Sequence, residues 1–390
     1  MKYYIIAGEA SGDLLGSLLM KALLRKDPSA DIRFWGGDLM TQQGGTRVRH
    51  IKELAIMGFV EVMMHLHTVL GNISFCKKDI KQFAPDAIIY IDYPGFNLKI
   101  AHWAKKHSYR NYHYVSPQLW AWKKNRIHSM RRDLDALYYI LPFEQQFYAQ
   151  NNFPQAQYVG HPLLDAVQSM QQKPVESPIE QEATKNMTVA PQILASITNR
   201  KIIALLPGSR KQELKKMLPP MITLAKAHPE YQFEIAGMTL LGDAFYQPYI
   251  QKAHCDNISV VYNDTYGILN KAYAAIVCSG TATLETALFN VPQVVCYKAS
   301  ALSIAIARWF VANRIKYISL VNLIADKAVV CELIQNDLTE KRLELEFQKI
   351  VTDGPDRDNI LSGYQHLHDL LGGAGTSDRV ADAIVKSIKH

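Results

Sequence analysis

Short apolar segments alternate with helical patterns along nearly the whole chain, and this alternation restricts the fold more than any other feature. Such segments separated by helices predict a parallel sheet that is covered by helices on both faces. In the first half the predicted strands are Tyr3–Gly8, Arg33–Gly36, Ala87–Asp92, Arg110–Val115, Ala136–Leu141 and Ala156–Gly160, with helices such as Asp13–Lys26 and Asn97–Lys106 between them.

The alternation is interrupted once, by a polar segment with three prolines, Gln171–Gln192, which is typical of a linker. A second series of predicted strands follows: Ile202–Leu206, Gln232–Ala236, Ile258–Tyr262, Ala274–Cys278 and Pro292–Tyr297. A chain of 390 residues is also long enough for two domains. We therefore predict an α/β fold of two tandem doubly wound, Rossmann-like domains: residues 1–170, a linker at 171–192, residues 193–350, and C-terminal helices at 351–390.

The composition excludes several classes of protein. The chain is 48% hydrophobic and 20% charged, as in ordinary globular proteins. Its start lacks a signal-peptide pattern, and its longest apolar stretch, Val294–Ala312, contains Lys298 and Arg308, so we expect no membrane-spanning helix. Five scattered cysteines without a Cys-X-X-Cys pair predict a reduced, cytoplasmic protein with no disulfide framework and no metal site.

The positive charge lies in the first half of the chain. Residues 1–160 contain 20 Lys and Arg against 13 Asp and Glu, a net charge of +7, whereas the remaining residues contain 23 of each. A basic half favours an anionic partner, such as a nucleic acid, a phospholipid surface or a phosphorylated substrate.

The chain opens with "IIAGEASGDLLG", a loop rich in small residues that resembles a phosphate-binding loop but carries acidic side chains and no lysine. Carboxylates repel phosphate but suit sugar hydroxyls, so we expect Glu9, Ser11 and Asp13 to contact a neutral polyol. Gly12 would allow a close approach of the chain. The alternative is that these residues only cap the helix that follows.

The best candidate for a phosphate site is "LLPGSRKQEL", where a buried strand ends and a helix begins. Gly208 permits a tight turn, Ser209 is the expected N-cap, and Ser209 with Gln212 matches the capping-box spacing. A helix N-terminus attracts anions, and Arg210 adds a guanidinium suited to phosphate. The alternative is a capped helix with basic residues on its surface.

A second helix start, "VCSGTATLETAL", has the same features. Ser279, Gly280 and Thr281 are small or hydroxylic, and Glu285 lies one turn further along the helix. A carboxylate at this place accepts hydrogen bonds from a ribose diol in dinucleotide folds, so the two helix starts together predict a nucleotide site. The alternative is a helix packed on the sheet, with Glu285 in solvent.

A candidate general base follows another predicted strand. In "AIIYIDYPGFN", Asp92 ends the strand, where a carboxylate is placed to take a proton from an attacking hydroxyl; a loop-capping role is the alternative. The next strand leads into "HYVSPQLWAWKKNRI", where Ser116 and the indole of Trp120 are candidate substrate contacts. A structural role for the tryptophan is equally open.

One further stretch, Leu54–Phe75, is unusually apolar, rich in methionine and followed by Lys77, Lys78 and Lys81. This pattern fits either a buried helix pair or a surface that contacts acyl chains and anionic lipid. The basic first half favours lipid contact. The candidate contact residues are Met57, Phe59, Val60, Met63 and Met64.

Taken together, nine stretches resemble the lipid-A-disaccharide synthases, bacterial glycosyltransferases of the two-domain GT-B type. They are "GEASGD", "ELAIMGFVEV", "IDYPGFN", "HYVSPQLWAW", "LPFE", "GHPLLD", "LLPGSR", "SGTATLE" and "VNL", in this order between Gly8 and Leu323. The chain departs from the family at Val321, where proline is usual, and at "IAGM" around Gly237, where many members have a proline-containing turn.

The resemblance implies an enzyme that joins UDP-2,3-diacylglucosamine to 2,3-diacylglucosamine 1-phosphate, with inversion and without a metal or other cofactor. It implies Asp92 as the base, Arg210 and Ser209 as stabilisers of the departing diphosphate, and Asn322 with the "SGTATLE" residues as UDP contacts. It also implies a peripheral protein on the cytoplasmic face of the inner membrane. In this family the C-terminal region can be exchanged between subunits, so a homodimer through that region is left open.

Two other functions compete with this one. A UDP-sugar 2-epimerase has the same two-domain plan, but it needs no groove for acyl chains, and the apolar stretch argues against it. A basic nucleic-acid-binding protein on an α/β scaffold is the other alternative. The sequence has no aromatic and basic pattern of a known nucleic-acid module, so no nucleic-acid partner is expected.

Overall fold

A computed structural model describes residues 1–54, 66–120, 124–171, 200–298 and 316–389. The chain divides into two units, Met1–Asp165 with Leu371–His390, and Ala166–Leu370. Each unit contains one sheet in which every paired strand is parallel to its neighbour. Helices connect the strands, which confirms the predicted class of two α/β domains and a helical C-terminal region.

The sheet of the first unit has the strand order β3-β2-β1-β4-β5-β6-β7. This is the Rossmann order, in which the chain leaves the centre first to one side and then to the other. The elements are β1 (Lys2–Ala7), α1 (Ala10–Lys26), β2 (Asp31–Gly36), α2 (Asp38–Gln42), β3 (Thr46–His50), α3 (Ile51–Leu54), α4 (Leu66–Phe83), β4 (Ala87–Ile91), α5 (Pro94–Lys106), β5 (Asn111–Tyr114), α6 (Arg126–Asp133), β6 (Ala136–Tyr139), α7 (Glu144–Gln150), β7 (Ala156–Tyr158) and α8 (Leu163–Gln171), which crosses the unit boundary.

The central strand β1 shows why this sheet needs helices on both faces. Tyr3 and Ile5 belong to one hydrophobic core cluster, and Tyr4 and Ile6 belong to another. Successive side chains of a strand point to opposite faces, so a strand that is apolar at every position is stable only between two helical layers.

The last helix of the chain, α16 (Thr376–Lys389), closes one of these faces. Val380 and Ile384 are fully buried in the same cluster as Tyr3 and Ile5. Asp165 accepts backbone N–H bonds from Thr376 and Ser377, at 3.2 and 3.1 Å, and thereby caps the helix. Within this chain the C-terminal helix therefore packs against the N-terminal unit.

The second unit repeats the arrangement with the strand order β10-β9-β8-β11-β12-β13. The point where the strand order reverses lies between β8 and β11, which pair with each other. Its elements are β8 (Ile202–Leu206), α9 (Lys211–Ala227), β9 (Gln232–Gly237), α10 (Asp243–Ala253), β10 (Ile258–Tyr262), α11 (Thr265–Lys271), β11 (Ala272–Cys278), α12 (Thr281–Leu288), β12 (Gln293–Tyr297), α13 (Leu320–Ala325), β13 (Cys331–Ile334), a short 3-10 turn (Gln335–Asp337), α14 (Glu340–Val351) and α15 (Pro355–Leu371).

Two strands were not predicted. Both β3 and β13 stand at a sheet edge, where they pair with one neighbour only. The sequence of β3, "TRVRH", is polar, and β13, "CELI", is short and contains Glu332. Edge strands bury less surface than central ones, so their sequences need not be continuously apolar.

Two predicted segments lie largely outside the described residues. Of the linker at 171–192 only Gln171 is described, and the candidate lipid-contact residues Met57, Phe59, Val60, Met63 and Met64 are not. Within the described part of the chain, we find no helix long and apolar enough to cross a bilayer.

Candidate functional site

The first candidate site lies at the carboxyl ends of β4 and β5, where the backbone is strained. Asp92, Tyr93 and Val115 have φ angles of 45°, 50° and 65°. These left-handed conformations are unfavourable for residues other than glycine, most of all for the β-branched Val115. Each costs about 1–3 kcal/mol, and such residues cluster at active sites. The strained backbone therefore makes the strand end that carries Asp92 a candidate active site.

The carboxyl group of Asp92 is partly buried, and this raises its pKa from the ordinary value to about 6. Loss of solvation is the main cause, and the negative charge of Glu9 adds to it; a hydrogen bond from the backbone of Tyr93 acts in the opposite direction. With this pKa the group is ionised at neutral pH, yet it is a stronger base than an exposed aspartate. These are the properties of a general base.

The side chain of Asn97 holds the backbone of Asp92 in place. Its amide nitrogen donates to the carbonyl oxygen of Asp92 at 2.7 Å, and lies 3.4 Å from those of Ile6 and Ile91. Asn97 is fully buried. We did not predict this role, although Asn97 ends the "IDYPGFN" stretch.

Asp13, in the opening loop, has a structural role that differs from the predicted contact with a sugar. The Asp13 carboxylate is buried and accepts N–H bonds from Gly37, Leu39 and Met40 at 2.7, 3.1 and 3.1 Å. It therefore caps the N-terminus of α2, and the expected contact with a sugar does not fit a carboxylate used in this way.

The other residues of this loop differ in exposure. Gly12 is buried against Ala7, since a Cβ at this glycine would lie 3.2 Å from the Ala7 side chain, and its role is to let α1 approach β1. Glu9 and Ser11 are exposed at the end of β1, next to β4 in the sheet. They remain candidates for contact with a sugar.

Ser116 and Trp120 follow β5, which is the neighbour of β4. The hydroxyl of Ser116 is buried and hydrogen-bonds to Pro117 O, at 2.9 Å, and to the hydroxyl of Tyr148. The ring of Trp120 packs edge-on against Phe143, with 5.0 Å between centroids. Both side chains thus fix the segment after β5, and substrate contact at either one stays a prediction.

The second candidate site lies at the carboxyl end of β8, in the second unit. Gly208 has a φ of +106°, and a Cβ there would lie 2.8 Å from Oε2 of Glu213 and 3.5 Å from Sγ of Cys278. The turn therefore requires glycine. The contact with Cys278 also shows that the ends of β8 and β11 are adjacent, at the point where the strand order reverses. Ligands of doubly wound sheets bind at such points.

The prediction that Ser209 caps the following helix is wrong. The N-cap of α9 is Arg210, with extended φ and ψ, and no side chain among the described residues caps the helix. Ser209 lies before it and is exposed, so the Ser209 and Gln212 capping box does not form. The Arg210 side chain is 73% exposed and lies 3.6 Å from the Glu213 carboxylate. An uncapped helix start beside an exposed guanidinium suits an anion.

The second predicted helix start is also present. Helix α12 begins at Thr281 after the N-cap Gly280, again without a side-chain cap among the described residues. The hydroxyl of Ser279 donates to Ile318 O at 3.0 Å. The Glu285 carboxylate is partly buried, which raises its pKa, and accepts a hydrogen bond of 2.9 Å from Tyr266. Tyr266, which we did not predict, therefore orients the acidic group.

Asn322 has a structural role in place of the predicted contact with UDP. Its amide nitrogen donates to Val330 O and to the Glu332 carboxylate, both at 2.9 Å, and its oxygen accepts from the N–H groups of Val329 and Val330. The side chain is 1% exposed. All four hydrogen-bonding positions of an amide are thus used inside the unit.

Glu332 extends this network towards the second helix start. Its carboxylate accepts the N–H groups of Ile318 and Ser319 as well as the Ser319 hydroxyl. Ile318 is the residue whose carbonyl oxygen accepts the Ser279 hydroxyl. Glu332 and Asn322 therefore position the loop against which the end of β11 is held. No local sequence pattern indicated this role for Glu332.

The chain matches a known protein family along nearly its whole length. A sequence model of the lipid-A-disaccharide synthetase family matches residues 3–372. The chain belongs to the lipid-A-disaccharide synthetase family. Proteins named lipid-A-disaccharide synthase from Syntrophus aciditrophicus and Coxiella burnetii are 36% and 33% identical to it, over 99% and 97% of this chain and 97% and 96% of their own lengths.

Solved structures show the same fold at low sequence identity. A UDP-GlcNAc 2-epimerase from Neisseria meningitidis, bound to UDP-GlcNAc, superimposes with a TM-score of 0.66 at 12% identity, over 99% of this chain and 100% of the other. The MurG protein of Acinetobacter baumannii gives 0.55 at 13% identity, over 99% of each chain. The family member described here is therefore a glycosyltransferase with the GT-B fold, and its likeness to the epimerase is one of architecture.

Proposed function

We propose that this protein transfers 2,3-diacylglucosamine from UDP to 2,3-diacylglucosamine 1-phosphate, giving the β-1,6-linked disaccharide 1-phosphate and UDP. Membership of the family, over residues 3–372, is the observation that carries the proposal. The chemistry of the two candidate sites supports it, since one offers a base for a hydroxyl and the other offers positive groups for a diphosphate.

The reaction is a single displacement with inversion. The acceptor hydroxyl oxygen attacks the anomeric carbon and forms the new C–O bond, while the bond from that carbon to the diphosphate oxygen breaks and its electron pair leaves with UDP. Asp92 takes the hydroxyl proton, because its pKa of about 6 leaves it ionised at neutral pH. No covalent intermediate with the enzyme is formed.

The departing UDP gains negative charge on its diphosphate. Arg210 and the start of α9, after Gly208 and Ser209, stabilise that charge. Since a guanidinium and a helix N-terminus supply the positive charge, the proposed reaction uses no metal ion.

The nucleoside part of the donor is assigned to the start of α12. Ser279, Gly280 and Thr281 supply backbone and hydroxyl groups, and Glu285 accepts hydrogen bonds from the ribose diol. Asn322 supports this site through its loop and has no direct contact. The residues assigned to the acceptor sugar are Glu9, Ser11, Ser116 and Trp120.

We also propose that the protein works at the cytoplasmic face of the inner membrane, where its acyl-bearing substrates reside. Two of the most exposed large apolar residues, Leu70 and Phe75, are on α4, which also carries Lys77, Lys78 and Lys81. Flotation with anionic lipid vesicles tests this contact. Leu70→Ser with Phe75→Ser should reduce flotation more than Leu345→Ser, an exposed leucine in the second unit; equal effects would reject the assignment.

The direct test of the function is a product assay. The purified protein is incubated with the two diacylglucosamine substrates in EDTA, and the products are identified by mass spectrometry and by the proton coupling at the new anomeric centre. We expect the β-1,6 disaccharide 1-phosphate and UDP. If UDP binds but no disaccharide forms, and UDP-GlcNAc is instead epimerised, the proposed reaction is wrong and only the fold assignment stands.

A further inference from the structure

We propose that Glu144 is a positioning residue for the acceptor side of the reaction. As a neutral carboxylic acid it fixes the start of helix α7, and its neighbours Phe143 and Tyr148 hold the segment 115–120 in place. This inference rests on the proposed function for its kinetic consequences, but not for its structural ones. Glu144 belongs to the "LPFE" stretch, to which neither the chemistry nor the candidate sites above assign a role.

The carboxyl group of Glu144 is enclosed. The residue is 1% exposed and lies at the start of α7, the helix that follows β6 in the chain. Its Oε2 accepts one long hydrogen bond, 3.4 Å from the N–H of Leu141, and its Oε1 is buried without a hydrogen-bonding partner among the described residues. An ionised carboxylate needs more donors than this, so the site favours the protonated acid.

The same conclusion follows from the electrostatics of the site. Burial raises the pKa of Glu144 to about 8, against weaker effects in the opposite direction from the backbone at Leu141, the hydroxyl of Ser116 and the backbone at Ile140. Among the residues that the structure describes, the ionisable side chains that face it are the phenols of Tyr139, on β6, and Tyr148, on α7. Both have raised pKa values to which the charge of Glu144 contributes.

The neighbours of Glu144 connect it to the candidate acceptor site. Ser116 hydrogen-bonds to the hydroxyl of Tyr148, which lies on the same helix as Glu144, and its own hydroxyl acts on the pKa of Glu144. Phe143, the residue before Glu144, packs against Trp120. Phe143 and Tyr148, on either side of Glu144, therefore clamp the segment after β5 at two points.

That segment needs support, because its backbone is strained. Val115 has a φ of 65°, which a β-branched residue adopts only when its surroundings enforce it. The strand before it, β5, pairs with β4, and the N–H of Asp92 donates to Tyr114 O at 3.1 Å. A change in the position of the segment 115–120 is therefore transmitted to the strand end that carries the proposed base.

Ionisation of Glu144 places a charge in this enclosed site and loosens the clamp. In the wild-type protein we expect kcat/KM for the acceptor to fall as the pH rises through about 8. Glu144→Gln keeps a neutral group of the same shape and should stay within about threefold of wild type at pH 7 but lose this alkaline decline. Glu144→Ala should lower kcat/KM for the acceptor about 10- to 100-fold at every pH, with the KM for the UDP-sugar unchanged.

A second measurement does not depend on activity. The protein has five tryptophans, so 5-fluorotryptophan labelling gives a readable ¹⁹F spectrum in which the loss of one signal in Trp120→Phe identifies Trp120. We expect the Trp120 signal to titrate with a midpoint near pH 8 in the wild type and to stay constant in Glu144→Gln. A Trp120 signal that does not titrate, or that titrates equally in both proteins, overturns the inference. If the signal behaves as expected but no transferase activity is found, the clamp stands and the proposed function fails.

Discussion

The aromatic ring of Tyr93 lies against the backbone of Gly8. A Cβ built on Gly8 would lie 2.5 Å from Cδ1 of the ring and closer still to Cγ, far inside van der Waals contact. Gly8 follows β1, and Tyr93 follows Asp92 at the end of the neighbouring strand β4. The glycine of the opening loop is therefore explained by the residue next to the proposed base, and no phosphate is needed to account for it.

Gly8→Ala tests this relationship. The new methyl group displaces Tyr93 and with it Asp92, so we expect turnover to fall about 100-fold and the free energy of unfolding to fall by about 1–3 kcal/mol. Gly95→Ala is the matched control, since a Cβ at Gly95 meets no described atom within 4 Å. It lies in helix α5, where alanine is favoured over glycine, so it should be neutral or slightly stabilising. Equal effects of the two variants would contradict the close-approach argument.

A second prediction concerns the pH dependence of turnover. Because the pKa of Asp92 is about 6, kcat/KM should decline as the pH falls through that value, when the base becomes protonated. Asp92→Asn should reduce turnover by at least about 1000-fold while UDP still binds. Rates measured between pH 5 and 8 check the first point, and near-normal turnover of the variant would remove Asp92 from the mechanism.

The same group makes a prediction about stability. Burial raises the pKa of Asp92 in the folded state, so between about pH 4 and 6 the folded protein binds more protons than the unfolded one. The free energy of unfolding contributed by this residue therefore decreases as the pH rises through that interval and is constant above it. Asp92→Asn removes the effect, so it should be more stable than wild type at pH 7 by about 1–3 kcal/mol and gain little at pH 4. Urea unfolding at the two pH values measures the difference; a variant less stable at pH 7 would count against a desolvated carboxylate.

Arg210→Ala should weaken the binding of UDP. A guanidinium that is 73% exposed contributes little to folding, so we expect a normal melting temperature. The loss of charge-assisted bonds to the diphosphate should raise the Kd for UDP about 10- to 100-fold. Arg342→Ala is the control, since Arg342 is also exposed, belongs to the same unit and pairs with Asp337. Calorimetric titration that shows the same UDP affinity in both variants would reject the role of Arg210.

Asn322→Ala separates structural support from substrate contact. Removing an amide that makes four buried hydrogen bonds should lower the free energy of unfolding by about 2–4 kcal/mol. Asn359→Ala, at an exposed position of helix α15, should change it by less than about 0.5 kcal/mol. Denaturant unfolding provides the measurement. A large loss of UDP affinity in Asn322→Ala without a loss of stability would restore the direct contact.

The central strands could be predicted because a strand that is buried on both faces is a continuous run of apolar residues in the sequence. Strands such as Ile202–Leu206 are apolar at nearly every position, whereas the edge strands Thr46–His50 and Cys331–Ile334 are not. The places of Asp92, Gly208 and Arg210 could also be predicted, since each lies within a few residues of the carboxyl end of a central strand. The roles of Glu144, Tyr266 and Glu332 could not, because their partners are distant in the sequence.

The sequence by itself therefore determined the two parallel sheets, the strand ends that carry the candidate sites and, through its ordered motifs, the family. The tertiary structure decided which polar residues at those strand ends are free. Asp13 and Asn322 were predicted to bind substrate, but their hydrogen bonds are taken by backbone groups of α2 and of the loop before β13. Ser209 matched a capping pattern, but the helix begins one residue too late for it. The physical reason is that a polar side chain binds the nearest unsatisfied group in space, and only the folded chain determines which group that is.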